Sequence, residues 1–281
     1  EYFQRSSLVT FGVSGFLLGV AFMSPWLWWV GLFGIALFIS AARSASFSKV
    51  ILGSIFLGAI QFLFVLSWLW SAYPVSWLEL SPAVTILLIG CVWFVASLSL
   101  GVVKMIPGLF VYYVQRRARE GYIYVSLFSG FPMAWVFAEV LGSGLFSFVH
   151  IAAGGGLSLD FGMGYIGYLV AQHGVLIQLA SMGGVYVLSL CYIFIGTLLA
   201  YLLQQKKHTL LWVLIIFIMA GSMVPYYNSY QDDTLSVAAL STNYQSYWSL
   251  STSEQLQRQE QLMQKTEIAL QSGVDYVILP E

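Results

Sequence analysis

Seven runs of apolar residues, at about 6–23, 26–42, 50–72, 83–106, 122–142, 183–204 and 209–226, constrain this chain more than any other feature. Each approaches or exceeds the length an α-helix needs to cross a hydrocarbon layer of roughly 30 Å. In that layer the backbone must bond to itself, so consecutive apolar runs of this length imply a helical bundle. Composition agrees: 59% of the 281 residues are hydrophobic, 8% are charged and the mean hydropathy is +0.82. Soluble domains carry roughly 25% charged residues. The first run meets the second across only "SPW", without a small-residue cleavage site, and reads as a retained span. A net charge of -1 gives no field that would attract nucleic acid. Cys91 and Cys191 both fall inside apolar runs and read as small buried hydrophobes, with no disulfide or metal pattern.

The basic residues orient the bundle, since lysine and arginine accumulate in cytoplasmic loops. With the N-terminus inside, the inner segments hold Arg5, Arg43, Lys49, Lys104, Arg116, Arg117, Arg119, Lys206 and Lys207, nine of the eleven. The opposite loops carry Glu79, Asp160, Asp232 and Asp233. Seven spans with this asymmetry put residues beyond about 227 outside the cytoplasm. The fourth run continues past Pro107 into "GLFVYYVQRRARE", which predicts a kink at the proline. Between the fifth and sixth runs, about 146–181, the chain is apolar but broken by repeated glycine. Non-helical backbone at membrane depth needs protein or water to satisfy it, so this stretch reads as a re-entrant or interfacial arm over the outer face. The competing reading is one further span near 164–181, which would reverse the charge asymmetry.

After residue 230 the chain changes character. "LSVAAL" (235–240) reads as a buried strand and "STSEQLQRQEQLMQKTEIALQSG" as an amphipathic helix. Ser251 and Glu254 have capping-box spacing, Leu256, Met263 and Leu270 share a face, and Gly273 stands where a C-terminal cap belongs. "VDYVILP" then resumes as a strand, completing the first unit of a parallel α/β domain that one such unit cannot finish. Functional groups in such sheets gather outside the carboxyl ends of strands. Glu281 follows Pro280 at that location; taken by itself it reads as merely the last residue of the sequence.

Inside the membrane region Glu139 stands out, because an ionisable group within a span is costly and a functional candidate by default. The bland alternative is a carboxyl bonded to a neighbouring helix. His150 and His173 fall near the outer interface and His208 beside Lys206 and Lys207, a dispersion that gives no metal-ligand spacing. Gly184 and Tyr186 read as helix-packing positions.

Three stretches together resemble the apolipoprotein N-acyltransferases, bacterial membrane enzymes in which a helical bundle carries an extracytoplasmic nitrilase-like domain. "LIQLASMGGVYVLSL" (176–190) is similar to the family's run entering a membrane helix, and "VAALSTNYQSYW" (237–248) to its first nitrilase strand and loop. "VDYVILPE" (274–281) resembles the strand that delivers a catalytic glutamate. The resemblance implies a multi-pass protein of the bacterial inner membrane: a bundle over 1–230, then the beginning of a periplasmic nitrilase-like α/β sandwich over 231–281. It implies Glu281 as the general base toward a cysteine thiol that attacks a phospholipid ester, a lysine that stabilises the oxyanion, and a lipid-modified apolipoprotein whose N-terminal amine accepts the acyl group. No cofactor is implied. Trp248, Glu139 and Gly144 are the implied substrate contacts, an interfacial aromatic anchor being the other reading of Trp248. Lys265 lies on the crossover helix and the two cysteines in the membrane, so only the glutamate of the three is present, and the chain alone is expected to be inert.

The sequence departs from the family where an arginine would follow Glu139, since Gly142 stands near that position and "GLFSFVH" replaces an aromatic turn. Ser241, Thr242 and Asn243 replace the usual Gln-Gly-Asn. A membrane-tethered nitrilase-type amidase, an acyltransferase with another acceptor, and a non-enzymatic transporter-like bundle therefore stay open. A transporter would show more paired polar groups at mid-membrane than Glu139 and little else.

Overall fold

A computed structural model describes residues 7–75, 78–119, 122–150, 162–171, 173–207, 209–210, 213, 236–240 and 251–278. The chain divides into two units, the larger comprising Glu1–Pro74 with Ser81–Tyr226 and the smaller Val75–Leu80 with Tyr227–Glu281.

The larger unit is helical: α1 (Ser7–Ala21), α2 (Trp28–Ser44), α3 (Phe47–Val65), α4 (Pro82–Gly101), α5 (Met105–Arg117), α6 (Ile123–His150) and α7 (Ala180–Gln204). Among the described residues, five helical stretches are long and apolar enough to cross a membrane: Pro25–Ser44, Phe47–Val65, Pro82–Arg117, Ile123–Ser147 and Leu176–Gln204. Leu8–Ala21 is apolar but shorter. The seventh expected run, 209–226, lies almost wholly outside the described residues.

Several boundaries differ from the sequence reading. The break in the fourth run comes at a 3-10 turn over Val102–Lys104, ahead of Pro107 rather than at it. Proline has no N–H to offer the carbonyl four residues earlier, so the helix loosens on its N-terminal side. α6 passes straight through Pro132 and continues eight residues beyond the expected end at 142. α7 is interrupted at Gly183 and Gly184; Gly184 has φ +61° and ψ −149°, a conformation essentially confined to glycine, and a Cβ there would touch nothing within 4 Å. Gly184 is therefore a backbone bend and not the packing position expected.

Small residues let the helices touch. A Cβ on Gly58 of α3 would come 2.7 Å from the Gly101 backbone of α4, so these two glycines mark a direct backbone crossing. Around it an aromatic core joins Phe11, Phe38, Phe131 and Trp135, with Phe38 and Trp135 ring centres 5.8 Å apart. At one end of the unit Arg43 gathers four helices: its Nε donates to Gln115 at 2.6 Å, and its Nη1 donates to Tyr124 at 3.1 Å and to Gln204. Arg116 adds a bond to the Ala45 carbonyl at 2.9 Å. Exposed Trp29 in the first turn of α2, and exposed Trp26 and Trp68 in the 3-10 turns before α2 and after α3, are amphipathic rings of the kind that favour a membrane–water boundary.

In the smaller unit, β1 (Val237–Ala239) and β2 (Tyr276–Ile278) pair in parallel with Ala238 opposite Val277, connected by the helix Thr252–Gln271. The capping box forms as expected, Ser251 Oγ accepting from Glu254 N at 3.3 Å and Glu254 Oε2 accepting from Ser251 N at 3.1 Å. Gly273 takes φ +79° just past the helix end. Leu256, Met263 and Leu270, expected on a packed face, are exposed among the described residues, since two three-residue strands cannot cover a helix of this length.

Candidate functional site

The polar groups of greatest interest lie inside the helical unit, around Glu139. Counting along α6 from Tyr124 beside Arg43, Glu139 is roughly 22 Å up the helix at 1.5 Å per residue. Its side chain is 5% exposed. Oε1 accepts from the indole Nε1 of Trp135, one turn earlier, at 3.0 Å, and from the backbone N–H of Ile166 at 2.8 Å. Ser189 of α7 lies alongside the carboxylate, yet geometry closes no hydrogen bond to Oε2 from any described residue.

Ile166 and Gly167 open a 3-10 turn, Ile166–Val170, whose own cap residue, Tyr165, supplies no side-chain bond. The first N–H groups of any helical turn lack internal partners. Here they are satisfied from outside: Glu139 takes the Ile166 N–H and Ser189 Oγ takes the Gly167 N–H at 3.0 Å. Ser143, one turn after Glu139, shares a 2.5 Å hydrogen bond with the Tyr165 hydroxyl. Gly167 fits because it is glycine; a Cβ would come 2.5 Å from the Val185 carbonyl and 2.8 Å from the Ser189 nitrogen. Part of the glycine-rich segment is thus docked between α6 and α7, with Ile166 and Val170 fully buried. Residues 151–161 of that segment lie outside the described residues.

The structure adds a group that the sequence reading had put in an inner loop. Lys104 is 1% exposed, and its stem lies on Gly58, whose added Cβ would come 2.8 Å from Lys104 Cγ. Its Nζ stands 4.0 Å from the centre of the Trp135 ring and 5.9 Å from that of Phe62. A cation over an aromatic face in a dry site is stabilised by up to about 2 kcal/mol. Lys104 and Glu139 act on one another electrostatically. Lys104 therefore leaves the set of end charges, and the expectation that Glu139 stands with little other mid-membrane polarity is corrected. The available signal is that apolar sequence runs on for ten residues past Lys104, Met105–Val114, before Gln115 and the first arginine at 116. Gln61 on α3 and Ser97 on α4, each about one turn from the Gly58–Gly101 crossing, are also buried without hydrogen-bond partners among the described residues.

The other expected site residues are dispersed. Gly144 is on α6, half-buried, and five positions past Glu139 leave it about 140° around the helix. Ser143 and not Gly144 shares the Glu139 face. Glu281 and Trp248 lie outside the described residues; β2 ends at Ile278, three positions before Glu281. His173, expected near an interface, is buried with its ring edge-on to Trp28 at 5.2 Å, and Nδ1 accepts from Leu176 N at 3.2 Å. Cys91, expected to be buried, is exposed, and Cys191 is half-buried.

A groove of about 370 Å³ opens where α4 meets α6. Cys91, Val95, Leu100 and Phe146 are among the residues lining it, so its surface is almost wholly apolar and suited to hydrocarbon.

Compared with known protein families, the chain matches the apolipoprotein N-acyltransferase N-terminal domain over residues 14–198, a range that contains Lys104, Trp135, Glu139, Ile166 and Ser189. The comparison with curated proteins finds no match.

Proposed function

Because the chain belongs to the apolipoprotein N-acyltransferase family, we propose that it serves the transfer of an acyl chain from phospholipid to the N-terminal amine of a diacylglyceryl-cysteine lipoprotein. The family match across most of the helical unit carries this reading. The donor and acceptor are both membrane lipids or lipid-anchored, which suits a multi-pass bundle. In this reading the protein resides in the bacterial inner membrane, and residues 231–281 contribute to a nitrilase-like domain on the periplasmic face.

The chemistry divides into two balanced steps. A cysteine thiol attacks the ester carbonyl of the phospholipid, its proton passing to a carboxylate, and lysophospholipid leaves as the thioester forms. The lipoprotein amine then attacks the thioester, the amide forms and the thiol is restored. Glu281 is proposed as the general base of the first step, from its position just past a β-strand of a parallel unit. Cys91 and Cys191 are not proposed as the nucleophile, since both belong to membrane helices. Trp248 is proposed to contact the acyl chain. Glu139 is proposed to act on substrate indirectly, because its carboxylate is buried against Trp135 and Ile166. Gly144 is proposed to face the lipid at the half-buried side of α6.

The test uses the native protein in its own membrane, supplied with phospholipid labelled in one acyl chain and a diacylglyceryl-cysteine peptide. Label in amide linkage on the peptide α-amine supports the reading. Release of label only as free fatty acid, or transfer only to a different amine, would replace it with the hydrolase or alternative-acceptor reading.

A further inference from the structure

We propose that Lys104 and Glu139 form a charge-balanced buried pair whose role is to hold the 162–171 segment docked in the helical unit, with Trp135 as the spacer between them. This inference stands apart from the acyl-transfer reading, and its test requires no activity.

Three observations carry it. Both side chains are almost completely buried, in a region where an uncompensated charge is strongly disfavoured. Both engage the same indole from different sides, Lys104 over the ring face and Glu139 at the N–H. Glu139 Oε1 also accepts the Ile166 N–H, the first backbone donor of the docked turn. With lysine protonated and glutamate ionised, or with both neutral, the two sum to zero charge, and in either form a carboxyl oxygen remains an acceptor for Ile166. Removing one partner leaves the other as a lone buried ionisable group, which the protein relieves by neutralising it, by drawing in water or by moving the carboxyl.

Water entry or a moved carboxyl releases Ile166. Non-helical backbone at membrane depth persists only where the protein satisfies it, and the Ile166 and Gly167 N–H groups have Glu139 and Ser189 for that purpose. Lys104 also belongs to the 3-10 turn that breaks the α4–α5 stretch. The pair consequently ties that break to the glycine-rich segment.

The tests compare variants of the full chain in lipid nanodiscs by amide hydrogen exchange. Lys104→Met keeps length and aromatic contact but removes the charge. Breaking a buried pair is far more disruptive than replacing both members, so exchange in a peptide covering 162–171 is expected to accelerate at least about tenfold in Lys104→Met. Exchange in a peptide covering 28–44 is expected to stay at the parent rate. Lys104→Arg, which retains the charge, is expected to leave both unchanged. The double variant Lys104→Met/Glu139→Gln is decisive: its amide oxygen still accepts from Ile166 and no charge is left unpaired, so exchange in 162–171 should return to within about threefold of the parent. If Lys104→Met fails to accumulate in the membrane, restored accumulation of the double variant supports the pair. A double variant no better than the single, by exchange or by accumulation, overturns it, as does a Lys104→Met protein whose 162–171 exchange matches the parent.

Discussion

Trp135 and Glu139 lie one turn apart on α6, and the indole Nε1 donates to Glu139 Oε1 at 3.0 Å while the Lys104 ammonium stands 4.0 Å from the centre of the same indole ring. One tryptophan thus stands between the two ionisable groups and hydrogen-bonds the acidic one, inside a unit whose neighbouring surfaces are apolar. Glu139 is left with one oxygen bonded to two donors and the other without a described partner.

Trp135→Phe preserves an aromatic face for Lys104 but deletes the N–H donor. Hydrogen bonds to charged groups contribute about 1.5–3 kcal/mol, and the thermal stability of the detergent-solubilised protein is expected to fall by that order. A Trp135→Phe protein that melts with the parent would show that the bond contributes little.

Gly167→Ala brings a methyl group into the Val185 carbonyl and the Ser189 nitrogen, at 2.5 and 2.8 Å. Neither neighbour can yield, because both belong to the backbone of α7, so the Ile166–Val170 turn must move. Overpacking of this kind costs about 1–3 kcal/mol. Gly184→Ala should also destabilise, through its φ of +61° and not through contact. Parent-like melting of Gly167→Ala would refute the close docking.

Asp275 links the two strand segments of the smaller unit, its Oδ2 accepting from Ser236 N at 2.8 Å and Ser236 Oγ at 2.9 Å. These bonds, the backbone one first, hold the carboxyl below its usual value near 3.8. A depressed folded value means the stabilisation is complete above the unfolded value and is lost as pH falls through the folded one. Amide exchange in 236–240, corrected for the intrinsic effect of pH, should therefore stay slow above about pH 4 and accelerate below it. Asp275→Asn should abolish that step; persistence of the step would assign it to another group.

A reporter fused after residue 230 is expected to be active only outside the cytoplasm. Removing Lys104 from the end charges leaves eight of the nine basic residues on the proposed inner side, so the bias survives. Cytoplasmic activity would refute the seven-span count and the orientation together.

Glu281→Gln keeps the size of the side chain but removes the proton acceptor. If Glu281 is the general base, then in a complete version of the chain that also carries the nucleophilic cysteine, thioester formation per membrane-inserted molecule should fall about 10²–10⁴-fold with folding unchanged. A normally folded variant that acylates within about threefold of the parent would remove Glu281 from the chemistry.

The helical character of the membrane region, most of its spans, the capping box at Ser251 and the parallel β–α–β order were all legible in the residues. Each depends on local rules: hydrocarbon forces the backbone to bond within its own segment, and a capping box joins groups three positions apart. Glu139 was legible as an oddity for the same reason, since a carboxyl in an apolar run needs no neighbour to be conspicuous. Its partners were not. Lys104 looks like an end charge in the sequence because it stands two positions from the end of the run at 83–106, and the crossing of α3 and α4 at Gly58 and Gly101 is what places its stem inward, toward Trp135. Ile166 meets Glu139 from 27 positions away, through a segment whose glycines signal irregular backbone but not where it docks. Sequence thus determined which segments form helices and which residues are costly to bury there. Tertiary packing decided which of those residues meet, because a buried charge or an unpaired N–H takes its partner from whatever the helix crossings bring within reach.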